Sequence, residues 1–177
     1  MKKTLFIFAI FILFLIIYFL QSNFFTWFTI AGIKPNLFVI FILFISLFAG
    51  MKVGIGFSVF LGLFLDLVLG KNIGTYTVMF SIIAFLGVRL DKNFSKDSRI
   101  TIMLMVMAAT AIFEIGYYIF SIAFLNINIE VLQFVKILVV EILFNAIITI
   151  IMYPAMRKFG YKIEDTFKEQ KILTRYF

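Results

Sequence analysis

Six apolar runs, at residues 4–20, 37–50, 53–70, 73–90, 101–125 and 134–156, are separated by short polar or glycine-containing turns. Lipid supplies no hydrogen-bond partners, so a backbone crossing it has to satisfy its own N–H and C=O groups, as a helix does. The whole chain is 64% hydrophobic, with 26 Phe in 177 residues and a mean hydropathy of +1.14. A soluble domain is nearer half apolar, and the surplus here has to meet lipid. The sequence therefore predicts an all-α integral membrane protein. Six transmembrane helices form one domain over 1–156, and 157–177 is a basic cytoplasmic tail.

Charge orients the spans. With the N-terminus inside, the cytoplasmic face receives Lys2, Lys3, Lys52, Arg89, Lys92, Lys96, Arg99, Arg157, Lys158, Lys162, Lys168, Lys171 and Arg175. The outside receives only Lys34, Lys71 and Lys136, in keeping with the positive-inside rule. That rule accounts for the net charge of +7 without nucleic acid. Lys2 and Lys3 before the first run mimic a signal peptide, but no small-x-small site follows, and 4–20 reads as an uncleaved span. Lys34-Pro35-Asn36 suits the start of the second helix. The short Met51-Lys52 link implies a tight hairpin. The aromatic segment at 22–33, with Phe24, Phe25, Trp27 and Phe28, belongs at headgroup level, as an interfacial helix or a re-entrant turn.

Gly50, Gly54, Ser58, Gly62, Asp66, Gly70 and Gly74 recur every four residues. Such a strip stays near one helical face, and small residues there let another backbone approach closely. It is expected to be a helix-packing or partner interface. Asp66 on the strip should face protein or water, since an ionised side chain in lipid is costly.

Two further carboxylates, Glu114 and Glu141, fall within predicted spans. An acidic residue at a helix centre costs roughly 3 kcal/mol on insertion scales, which the surrounding apolar residues outweigh. Thr110, Glu114, Tyr118 and Ser121 share one stripe of the fifth helix. Glu141, Asn145 and Thr149 share one of the sixth. Interhelical hydrogen bonding is the simplest use for them; a proton or cation pathway is a sharper one, and a binding site for a lipid or a partner span is the third. The tail carries Phe159, Ile163 and Phe167 at four-residue spacing among charges, which suits an amphipathic helix on the membrane surface or a docking surface for a cytoplasmic protein.

The chain has no His and no Cys, which removes imidazole bases, thiol chemistry and the commonest transition-metal ligands. No Ser sits beside an evident base. Catalytic residues, metal ligands and cofactors are therefore not expected.

Lys34-Pro35-Asn36-Leu37, Gly50 through Gly62-Leu63-Phe64-Leu65-Asp66-Leu67, Gly70 and Ile73-Gly74-Thr75-Tyr76 together resemble the bacterial rod shape-determining MreD family. Leu143-Phe144-Asn145 and Tyr153-Pro154 extend the resemblance to the last helix. It implies a non-enzymatic scaffold of the cell-elongation complex, multi-pass in the bacterial cell membrane with both termini cytoplasmic. The implied partners are the scaffold MreC first, then the MreB filament, RodA, a penicillin-binding transpeptidase and membrane lipids. The family fold is similar to the substrate-binding subunits of energy-coupling-factor transporters, which makes a small-molecule (vitamin) uptake subunit the alternative. The docking motif those subunits carry, Ala-x-x-x-Ala, is missing: Ala9 is followed four positions later by Leu13.

Overall fold

The computed structural model describes residues 2–69, 74–125 and 130–168. Among them the chain is helical throughout, apart from turns. The helices are α1 (Lys2–Phe19), α2 (Phe25–Trp27), α3 (Leu37–Leu69), α4 (Thr75–Asn93), α5 (Arg99–Leu125) and α6 (Val131–Phe167), with a π-helical turn at Leu20–Phe24 joining α1 to α2. Lys3–Trp27, Leu37–Leu69, Arg99–Phe124 and Val131–Phe167 are long and apolar enough to cross a membrane. These four hold five of the six predicted runs, because Leu37–Leu69 contains two of them. The remaining run coincides with α4, whose last turns carry Arg89, Asp91 and Lys92.

α3 is two arms, not one rod. Gly50 takes φ 78° and ψ −176°, a backbone conformation that L side chains rarely adopt. A Cβ built on Gly54 would lie 2.8 Å from the Cα of Ser46, eight residues earlier. Along a straight helix the two would be about 12 Å apart. The chain therefore folds back on itself at Gly50, making the tight hairpin expected around Met51-Lys52.

The first arm, 37–49, is the centre of the molecule, and every one of its residues is buried. It packs among α4, α5, α6 and α1. Glycines on its neighbours make the enclosure possible. Besides Gly54, a Cβ on Gly87 of α4 would sit 2.8 Å from the Ser46 Cβ, and one on Gly160 of α6 would sit 2.8 Å from the Phe48 ring. Phe14 of α1 reaches the same arm through Phe38 and Phe41.

α6 continues unbroken past Met156 to Phe167, accommodating Pro154 at the loss of one backbone donor. This extension does not lie with its apolar face on the membrane surface, as the Phe159, Ile163 and Phe167 pattern suggested. Ile163 is fully buried, and Phe159 and Phe167 pack on the same core. The face covers the end of this chain's own bundle. In the segment 22–33, Ile30 and Ile33 form a two-residue reversal through Ala31 and Gly32, both at positive φ. Trp27 next to it is 88% exposed.

Candidate functional site

The glycine strip is shorter than its spacing suggests. Gly50 is the bend, and Gly74 is the N-cap of α4 at φ 105°. Gly70 lies outside the described residues. Gly54, Ser58, Gly62 and Asp66 remain as one face of the second arm, 51–69, and all four are buried. Gly54 meets Ser46 of the first arm, and a Cβ on Gly62 would collide with the Cα of Thr77 in α4. The close approaches at Gly54 and Gly62 are thus made within this chain.

Asp66 completes the seam. It is 1% exposed, and its carboxylate sits at the N-terminus of α4. Oδ1 accepts from the Tyr76 N–H at 2.9 Å. Oδ2 accepts from the N–H groups of Gly74 (2.9 Å) and Thr77 (3.1 Å) and from the Thr77 hydroxyl (2.6 Å). The first N–H groups of a helix have no partner in their own helix, and the helix dipole favours negative charge there. No side chain of α4 caps its own start. Asp66 does so from the preceding helix, which explains how a carboxylate is tolerated in this apolar face.

The polar stripes of α5 and α6 meet each other. Asn145, fully buried, donates from Nδ2 to Thr110 Oγ1 at 2.9 Å and accepts on Oδ1 from the Asn36 N–H at 2.8 Å. Glu114 of α5 and Glu141 of α6 lie beside each other across the same interface. Asn36 Oδ1 accepts from the Val39 N–H at 3.3 Å and caps α3. Gln21, which the sequence did not single out, bridges this entry: Nε2 donates to the Pro35 carbonyl (2.7 Å) and Oε1 accepts from the Leu37 N–H (3.0 Å). Nothing in its spacing marks Gln21, since its partners are made by the turn that follows it.

Gln21, Asn36 and Glu141 border a cleft of about 600 Å³ at the Asp66 end of the bundle, lined also by Tyr18, Lys34 and Tyr76 among others. Oε1 of Glu141 is buried there without a hydrogen-bond partner.

The opposite, basic end is tied by ions. Lys96 bonds Asp91 (2.6 Å) and Glu164 (2.7 Å), and Lys168 bonds the same pair at 2.5 and 3.0 Å. Burial acts to lower the Lys96 pKa, but hydrogen bonds to Asp91 and Glu164 raise it above its ordinary value. Lys168 Nζ also donates to the Leu47 carbonyl at 2.8 Å, at the end of the first arm where carbonyls lack helical partners. Tyr161 donates to Asp97 Oδ1 at 2.7 Å and Arg157 pairs with the same oxygen at 3.1 Å. The Tyr161 hydroxyl, with Arg157 beside it, holds the Asp97 carboxyl below the usual carboxylate range.

No curated protein and no solved structure matches the chain. The family model described as rod shape-determining protein MreD matches residues 1–163, nearly the whole length over which the bend, the capped seam and the polar stripes are laid out. The chain belongs to the MreD family of membrane proteins involved in rod shape determination.

Proposed function

We propose that this chain is a non-enzymatic, six-span scaffold subunit of the cell-elongation complex, supporting lateral peptidoglycan synthesis through MreC and its associated synthases. Membership of the MreD family carries the reading. The geometry agrees with a structural part: Asp66 caps α4 from the preceding helix, and Asn145 bonds across to Thr110 and Asn36. In this reading the two arms of α3 and the shorter α4 complete six crossings, and the family's likeness to energy-coupling-factor binding subunits is one of architecture. The basic end faces the cytoplasm, near the MreB filament and anionic lipid.

Depletion should turn rods into spheres, and a tagged copy should restore rods and retain MreC on purification. Rods that persist after depletion, with no MreC retained, refute the assignment. The absence of native Cys makes the orientation directly testable. A membrane-impermeant thiol reagent should label Lys34→Cys in intact cells and leave Lys158→Cys untouched until the membrane is opened. The reverse pattern would invert the topology.

A further inference from the structure

The cleft at the Asp66 end holds an unmet demand. Glu141 is 7% exposed, lines the cleft, and keeps Oε1 out of water with no hydrogen-bond partner. Leaving a buried carboxyl oxygen unpaired costs more than most native structures tolerate. Among the described residues, the groups packed around it leave Oε1 without a hydrogen bond. Glu114 approaches from α5 with another carboxyl, and Asn36 approaches from the start of α3. The missing partner is therefore a donor that enters from the cleft.

The walls specify what kind of donor. Tyr18, Phe38 and Tyr76 line the same space, and aromatic faces attract organic cations. Among the described residues no three metal-ligating side chains converge. Lys34 lines the cleft too, but its side chain is exposed, so the positive group stands toward the solvent and the carboxyl lies deeper. Acid inside and base outside is the complement of a zwitterion that enters ammonium first with its anionic group trailing.

We infer that this cleft binds a small zwitterion through a primary ammonium donated to Glu141 and an anionic group held by Lys34, the pattern of a phosphoethanolamine headgroup. The site goes beyond the scaffold role, and nothing in it requires transport across the membrane. The same chemistry is available from an ethanolamine phospholipid in the surrounding leaflet or from a free aminoalkyl phosphate.

The test is native mass spectrometry of the full chain purified in detergent and offered phosphatidylethanolamine or phosphatidylglycerol, with soluble phosphoethanolamine as competitor. The ethanolamine lipid should be kept in preference to the glycerol lipid. Glu141→Gln should weaken its retention by roughly tenfold or more, the effect of one lost charge-assisted hydrogen bond. Lys34→Gln should weaken it by a few fold, as expected for an exposed ion pair. Displacement by phosphoethanolamine identifies the free zwitterion as sufficient, and resistance to it identifies the lipid as the source. If Glu141→Gln does not fold, the exposed Lys34→Gln variant decides. Equal retention of both lipids, unchanged retention in the variants that fold, or no binding of lipid and phosphoethanolamine alike would overturn the assignment.

Discussion

α1 and the first arm of α3 are almost the same to a hydropathy scale and opposite in the molecule. The most apolar stretches of Lys3–Trp27 and Leu37–Leu69 have mean hydropathies of 2.7 and 2.4, yet 11% of the former and 72% of the latter is buried. Apolarity alone cannot choose between them, because lipid tails are as apolar as Leu and helix burial in a membrane gains no hydrophobic energy. What separates the two is how closely their surroundings can approach. The arm at 37–49 is met by Gly54, Gly87 and Gly160, and its ends are fastened by Asn36, Gln21 and Lys168. α1 contributes Ile10 and Phe14 to the core and leaves Leu5, Phe8, Ile16 and Phe19 exposed. An apolar groove of about 430 Å³ remains between α1, α3 and α6.

Gly62→Leu should break this contrast most severely, since its first added carbon already collides with the Thr77 backbone. Loss of the monodisperse, folded protein is expected. Gly56→Leu should be harmless, because no atom lies within 4 Å of the added Cβ. A Gly62→Leu protein with an unchanged melting temperature would mean that the seam is not close-packed. A finer comparison pits Ile45→Ala against Ile16→Ala, residues 1% and 50% exposed. The buried truncation should cost about 2–5 kcal/mol in reversible unfolding, through the cavity it leaves, and the lipid-facing one under about 1 kcal/mol. Equal losses would erase the distinction between the two helices. Asp66→Asn should have the smallest of the three effects, roughly 1.5–3 kcal/mol, because an amide keeps one acceptor but loses the charge-assisted bonds. Amide exchange should accelerate first at Gly74, Tyr76 and Thr77; unchanged exchange at all three would remove Asp66 as the cap of α4.

The all-helical character was legible because apolar runs and short turns are local features. Asp66 was legible as a group turned away from lipid, toward protein or water. The full extent of its strip was not. A four-residue spacing cannot reveal that Gly50 and Gly74 adopt positive φ and leave the helical face. Gly87 and Gly160 carry no mark in the sequence for a related reason. Each is a lone glycine in its helix, and its use appears only once Ser46 or Phe48 is packed against it. The amphipathic pattern of Phe159, Ile163 and Phe167 was readable, but the surface it covers was not. A buried helix end and a lipid surface ask for the same apolar stripe, and only tertiary structure tells them apart.

Lys168 gives the bundle a mechanical property. One ammonium group grips Asp91, Glu164 and the Leu47 carbonyl, and its stem lies against Gly50. Tension on the segment beyond α6 would load that joint before any other, and through it the reversal that seats the innermost arm. Whatever tugs on the end of this chain has a handle on its middle.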